Sequence, residues 1–186
     1  MTQFEYLSVL LSIILGLAIT QILQGYRGLL LVRQSVRLYW PSLIWSVLIL
    51  LFACQAWWAS FGLEDTTEWH FGTFLIILLQ MGLIYMLAAL VLPDTGDRGQ
   101  FDMKAHYQAQ RCPFFTCFLL VVPVSLLKDL LLDGVLPEAT NLGFHAGLAA
   151  LALAGLTVRS ARFQLALAIG TAILFIAYVA MLFNRL

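Results

Sequence analysis

Apolar residues fill six long segments of the chain, and short polar stretches separate these segments. A helix needs about 20 mostly apolar residues to cross a bilayer, and each segment is close to that length. The pattern therefore predicts one all-α domain over residues 1–186, a bundle of six transmembrane helices. The helices are predicted at residues 4–31, 41–61, 70–92, 113–132, 142–158 and 163–183. The longest loop is predicted at 93–111 and holds one candidate surface helix at about 101–110.

The first segment carries the most regular polar pattern in the chain. Residues four apart share one face of an α-helix, and this face holds the small or weakly polar residues Ser8, Ser12, Gly16, Thr20, Gln24 and Gly28. Such residues let helices approach closely in lipid and hydrogen-bond across the contact. Helices five and six have similar faces, marked by Gly143, Gly147 and Gly170. We therefore expect the stripe on the first helix to be the seam around which the bundle closes, although a subunit interface competes for the same residues.

Basic residues predict the orientation in the membrane, because Lys and Arg collect in cytoplasmic loops. Eight of the 10 basic residues lie in or beside the breaks after the first, third and fifth helices. They are Arg27, Arg33, Arg37, Arg98, Lys104, Arg111, Arg159 and Arg162. This distribution places loop 93–111 in the cytoplasm and both chain termini on the non-cytoplasmic side.

Composition narrows the choice of partners. Hydrophobic residues make up 62% of the chain and charged residues 11%, whereas soluble domains average about 45–50% and about 25%. The formal net charge is zero, so no basic surface for nucleic acid is expected. The predicted partners are membrane lipids and either further copies of this chain or other membrane subunits. We expect bound lipid and predict no cofactor.

Gln80 is the most deeply placed amide, near the middle of the third helix. Polar groups inside a span are costly and tend to have a partner or a task. One interpretation is that Gln80 hydrogen-bonds a neighbouring helix and so holds the bundle together. Another is that Gln80, Thr20 and Gln24 line a path for a small solute. No Asp, Glu, Lys or Arg lies at the centre of a span, which argues against proton relays, voltage sensors and ion-coupled pumps.

A second group of polar residues lies at the predicted outer boundary. If the helix ends converge there, the group forms a polar cluster of Glu5, His70, Lys128, Asp129 and His145. His70, His145 and a carboxylate are a chemically reasonable ligand set for zinc or copper. The two histidines come from distant segments with no metal-binding spacing. We therefore interpret these residues as members of surface ion pairs and predict no metal site.

Enzyme signatures are absent from the sequence: there is no His-Glu-x-x-His, no Gly-x-Ser-x-Gly and no phosphate-binding glycine loop. The sequence therefore leans away from an enzyme and favours a non-catalytic membrane protein that works by helix association, as a homo-oligomer or an accessory subunit. A small channel or solute transporter is the main alternative. A redox or metal-binding subunit that uses His70 and His145 is the third.

The first helix also resembles part of a known group of proteins. Its short motifs are Glu5-Tyr6, Ser12-Ile13, Leu15-Gly16-Leu17 and Thr20-Gln21, followed by Gly25 and Arg27. They resemble the start of small multi-pass membrane proteins of bacteria, a group without an assigned activity. The resemblance covers about the first thirty residues. It implies the bacterial cytoplasmic membrane and carries over no ligand and no functional residue.

Overall fold

The computed structural model describes residues 3–64, 66, 69–94 and 101–183. Within them, six helices are long and apolar enough to cross a membrane, which confirms the predicted all-α class and helix number. The helices are α1 (Gln3–Leu31), α2 (Trp40–Ala59), α3 (Phe71–Val91), α4 (Met103–Asp133), α5 (Ala139–Thr157) and α6 (Ala161–Phe183). A 3-10 turn, Ser60–Leu63, follows α2. The two-residue strands β1 (Val36–Arg37) and β2 (Phe101–Asp102) pair in parallel.

Five of the helices form a ring, and α1 lies outside it. Around the ring, α2 contacts α3, α3 contacts α4, α4 contacts α5, α5 contacts α6, and α6 contacts α2. Helix α1 packs on α2 and α3. The start of α1 and the end of α6 belong to what we call the terminal end of the bundle. The connections 32–39, 92–102 and 158–160 belong to the opposite end, which we call the loop end.

Helix α4 begins ten residues earlier than the sequence analysis predicts. The prediction took Pro113 as the first turn, but the helix starts at Met103 and includes Pro113 and Pro123. Asp102 caps it, because its side chain accepts hydrogen bonds from the backbone N–H groups of Lys104 and Ala105. Residues 103–110 are therefore helical, as the candidate surface helix predicts, but they are the first turns of α4 and not a separate helix in a loop. Residues 95–100, with Arg98, lie outside the described part of the chain.

A buried polar network at the loop end closes the C-terminus of α5. Arg111, predicted to lie in a loop, is only 4% exposed, and its Nη1 donates to the carbonyl oxygens of Gly155 and Leu156 at 2.7 and 2.6 Å. Gln164 Nε2 donates to Gly155 and Val158 carbonyls, and Tyr107 Oη donates to Gln164 Oε1 at 2.6 Å. The last turn of a helix leaves its carbonyls unpaired and carries partial negative charge, so a buried guanidinium is well placed there.

An aromatic cluster fills the ring between this network and the middle of the bundle. Trp45 of α2 makes edge contacts with Phe114, Phe115 and Phe118 of α4, with ring centroids 5.3 to 5.4 Å apart. Gly155 of α5 lies against Phe115 so closely that an added Cβ would be 2.4 Å from the ring. A side chain at position 155 therefore has no room, and only glycine lets α5 approach α4 at this point.

Candidate functional site

The half of the ring at the terminal end encloses a cavity of about 210 Å³. All five ring helices contribute to its walls, and α1 contributes Leu11. Leu11, Phe52, Ile77, Val121, Leu148 and Phe175 make much of the wall apolar. On α4 the lining runs from Val121 near mid-helix to Asp129 near the helix end, a rise of about 12 Å. The cavity thus extends from the middle of the bundle toward its terminal end.

The end of the cavity nearest the helix termini, its polar end, carries opposite charges side by side. Lys128 Nζ and Asp129 Oδ1 form an ion pair of 3.1 Å, and the two side chains are 26% and 19% exposed. Gln55, Asn141 and Tyr178 line the same cavity. Asn141 Oδ1 is buried and has no hydrogen-bond partner among the described residues. The polar end thus offers charged groups of both signs and a free acceptor.

Gln80 lies at the inner end of the cavity, near the middle of α3. The residue is 8% exposed, and its Oε1 is buried without a hydrogen-bond partner in the described part of the chain. A buried amide that makes no hydrogen bond costs on the order of 1–3 kcal/mol by mutational measurements. The interpretation in which Gln80 bonds a neighbouring helix therefore has no support in this geometry.

His145 links α4 to α5 beside the cavity. Its Nδ1 lies 2.9 Å from the Asn141 carbonyl oxygen and its Nε2 3.2 Å from Ser125 Oγ. A carbonyl oxygen only accepts, so Nδ1 carries a proton, and Nε2 pairs with the serine hydroxyl. Both ring nitrogens are therefore occupied, and neither is free to bind a metal in this arrangement.

The structure brings together part of the predicted outer cluster. Lys128, Asp129 and His145 line the cavity, whereas Glu5 and His70 are exposed and are not among its lining residues. His70 is instead the residue before α3. In the described part of the chain, no three His, Cys, Asp or Glu side chains are grouped closely enough to hold a metal ion. The pairing of His70 with His145 as metal ligands is not formed.

The predicted polar path is not formed either. Gln80 lines the cavity inside the ring, but Thr20 and Gln24 are exposed on α1, outside the ring. The Trp45 aromatic cluster occupies the ring beyond the inner end of the cavity. In this conformation the cavity is therefore a pocket with one polar end, and the three residues do not share a route across the bundle.

Most of the small-residue stripe of α1 is exposed. Ser12, Gly16, Thr20 and Gln24 are exposed, while the buried face of the helix carries Leu7, Leu11, Leu15, Ala18 and Ile22. The expectation of an internal seam is therefore wrong, because the larger apolar side chains fill the contact with α2 and α3. Ser8 and Gly28 at the two ends of the stripe are half-buried. We call Ser12, Gly16, Thr20 and Gln24 the outer face of α1.

Hydrogen bonding differs along this outer face. Ser12 Oγ accepts a bond from Trp57 Nε1, and Thr20 Oγ1 donates to the Gly16 carbonyl oxygen at 2.7 Å. The Gln24 amide makes no hydrogen bond within the described residues. Gln24 precedes Gly25, where an added Cβ would lie 2.7 Å from Leu92 at the end of α3, so this amide lies near the loop end of the bundle. The exposed amide of Gln24 is therefore available to a neighbouring molecule.

The other predicted packing glycines have unequal environments. An added Cβ at Gly147 would lie 3.3 Å from Leu174 Cδ2, so α5 and α6 approach closely there. Added Cβ atoms at Gly143 and Gly170 would meet nothing within 4 Å. Of these three glycines, only Gly147 therefore lies at a close helix contact inside the chain.

The fold defines the class of the protein: a multi-pass helical membrane protein with a pocket in one half of its bundle. Comparison of the chain with protein-family models, curated proteins and solved structures finds no match.

Sequence reasoning missed the partners that complete the pocket and the network. Gln55, Asn141 and Tyr178 line the pocket, and Tyr107 and Gln164 belong to the buried network. Asn141 and Tyr178 come from different helices, so no local spacing connects them. The available signal was that each is a polar residue inside or beside an apolar segment, as is Gln164.

Proposed function

We propose that the protein is a non-catalytic integral membrane protein that works by association of transmembrane helices, and that the outer face of α1 makes the contact. The observation that carries this proposal is the exposure of Gly16, Thr20 and Gln24 on one side of α1, a surface of small and polar residues on a helix apolar enough to cross a membrane. In lipid, small residues let a second helix approach closely, and polar side chains hydrogen-bond across such a contact. Association therefore satisfies the amide and lets two backbones approach.

A second copy of the chain is the partner that this surface fits. When two identical helices pack in parallel about a twofold axis, each residue of the contact lies near its own copy. Gln24 of one copy then lies opposite Gln24 of the other, and a glutamine amide both donates and accepts hydrogen bonds. Gly16 and Thr20 offer little steric resistance, since an added Cβ at Gly16 meets nothing within 4 Å in the single chain. An unrelated membrane subunit that presents a small polar face is the alternative partner.

The membrane and the orientation belong to the same proposal. The resemblance of the first helix supports the bacterial cytoplasmic membrane, and the basic residues beside the loop end support a cytoplasmic position for that end. The terminal end and the pocket then lie on the non-cytoplasmic side. Membrane lipids surround the exposed large side chains of α1 and α6, such as Ile13, Leu17, Ile173 and Ile176.

The mass of the purified protein in mild detergent tests the contact. The wild-type chain of 20.8 kDa is expected to elute as a defined assembly of two or more copies, and Gly16→Leu is expected to elute as a monomer. The leucine fits the single chain because nothing lies within 4 Å of its Cβ, but it holds a second backbone away. Light scattering coupled to size exclusion gives both masses.

Ala177→Leu is the matched control, because Ala177 is exposed on α6 and the new side chain points away from the ring. It is expected to keep the wild-type mass. A wild-type monomer that brings no other membrane protein with it through purification contradicts the proposal, and so does an assembly that Gly16→Leu leaves intact. Copurification of a different subunit that Gly16→Leu releases supports the accessory-subunit form of the proposal.

A further inference from the structure

The pocket inside the ring has the features of a binding site and owes nothing to the contact through α1. Its volume of about 210 Å³ exceeds the roughly 150 Å³ that holds a benzene ring and is below the several hundred Å³ typical of drug-sized ligands. An apolar body of roughly ten non-hydrogen atoms therefore fits, and a charged head lies in the partly exposed polar end. The size class is that of a single amino acid or a similar metabolite.

The charges at the polar end decide which head group is suitable. Lys128 and Asp129 lie 3.1 Å apart and carry opposite charges, so an anion attracted by the ammonium is repelled by the carboxylate, and the reverse holds for a cation. A ligand that carries both charges on adjacent atoms matches both groups at once. Asn141 Oδ1, buried without a partner in the described chain, adds a second acceptor for the positive charge. The complementary head group is a zwitterion.

The inner end decides what the far side of the ligand must carry. Gln80 lines the pocket at mid-helix depth, and its unpaired Oε1 needs a hydrogen-bond donor. The terminal torsion of a glutamine is broad, so the amide turns its oxygen toward a ligand at little cost. An acyl chain of a lipid brings no donor to this point and leaves the amide unpaired. A ligand that ends in a hydroxyl or N–H group pairs with it.

Between these two ends, the walls are apolar and partly aromatic. Phe52, Phe144 and Phe175 line the pocket together with aliphatic side chains of α3, α4 and α5. A ligand with a flat or aliphatic body buries its apolar surface against them. We propose that this pocket binds a zwitterionic amino acid whose apolar side chain ends in a hydrogen-bond donor, with its head on Lys128, Asp129 and Asn141 and its tip on Gln80.

Binding of free amino acids to the purified full chain in lipid nanodiscs tests this proposal. The twenty common L-amino acids are compared first by thermal shift, and L-tyrosine is then titrated because its ring ends in a hydroxyl group. Saturable binding of L-tyrosine is expected, with L-phenylalanine about tenfold weaker because it cannot pair with Gln80. Tyramine lacks the carboxylate and 3-(4-hydroxyphenyl)propanoate lacks the ammonium group, so each is expected to bind at least tenfold more weakly than L-tyrosine.

Matched variants separate a site from a change in folding. Gln80→Met is expected to abolish the preference for L-tyrosine over L-phenylalanine, whereas Gln21→Met, on α1 and outside the pocket, keeps it. Asp129→Asn is expected to abolish the preference for L-tyrosine over 3-(4-hydroxyphenyl)propanoate, and Asp133→Asn, exposed on the same helix, keeps it. The ratio of the affinities for two ligands does not depend on the fraction of the protein that is folded.

Three results overturn the proposal: no common amino acid binds saturably, the preference for L-tyrosine over L-phenylalanine survives in Gln80→Met, or a copurified lipid fills the pocket and is not displaced by L-tyrosine. Native mass spectrometry of the wild-type chain and of Gln80→Met identifies such a lipid. None of these results bears on the contact through α1, because Gly16→Leu alters a surface outside the ring and is assayed by mass.

Discussion

Replacing Gln164 with leucine is expected to lower the free energy of unfolding by about 3 kcal/mol. Gln164 is fully buried at the start of α6 and joins three partners. Leucine has a similar size, so the main loss is polar: the Val158 carbonyl oxygen loses its side-chain donor and the buried hydroxyl of Tyr107 loses its acceptor. Unfolding by sodium dodecyl sulfate in mixed micelles, followed by tryptophan fluorescence, measures the change.

A double-mutant cycle shows whether the network causes the effect. Tyr107→Phe removes the hydroxyl that Gln164→Leu leaves unpaired, so the double variant is expected to be no less stable than Gln164→Leu alone. Gln21→Leu is the control, since Gln21 is half-buried on α1 and lies away from this network. Simple addition of the two single effects, or equal losses at positions 21 and 164, contradicts the assigned hydrogen bonds.

Gly155→Ala is expected to cost about 1–3 kcal/mol of stability, although alanine is the better helix former. The added methyl group would lie 2.4 Å from the Phe115 ring. That ring cannot yield easily, because it is fully buried and in edge contact with Trp45 and Phe114. Helix α5 must therefore move away from α4. The same detergent titration measures the loss.

Gly143→Ala supplies the opposite expectation on the same helix. An added Cβ there meets nothing within 4 Å, so the free energy of unfolding of this variant is expected to rise by roughly 0.5–1 kcal/mol, because alanine is the better helix former.

Phe115→Leu makes room for the methyl group of Gly155→Ala. The loss of stability caused by Phe115→Leu is therefore expected to be smaller in the Gly155→Ala chain than in the wild-type chain. Equal changes at positions 143 and 155 would mean that α5 does not touch the Phe115 ring.

Hydrophobic pattern alone was sufficient to predict the class and the six helices, because a spanning segment must be long and apolar whatever it packs against. It failed at the start of α4. Met103, Tyr107 and Arg111 are buried at intervals of four residues, but mixed charges and Pro113 indicated a surface helix in a loop, separate from the spanning helix. Arg111 is buried because it pairs with the end of α5. Its partners, Gly155 and Leu156, lie 44 and 45 positions further along the chain, so no local pattern indicates the contact.

The direction in which each helix face points was harder to predict than the helix itself. On α1, one face holds large aliphatic residues and another small polar ones, and either can form a contact in lipid, where apolarity does not distinguish inside from outside. The structure buries Leu11 and Leu15 and exposes Gly16 and Thr20. For the pocket, Gln80, Lys128, Asp129 and His145 were singled out, but their convergence depends on the order of helices around the ring.

Disulfide cross-linking in native membranes tests the contact through α1 most directly. Thr20→Cys is introduced into a chain whose Cys54, Cys112 and Cys117 are replaced by alanine, and Ala177→Cys in the same background is the control. Oxidation is expected to convert Thr20→Cys into a species of twice the chain mass, or into a single adduct with another subunit, while Ala177→Cys stays monomeric. Equal cross-linking at positions 20 and 177, or none at position 20, contradicts the proposed association through the outer face of α1.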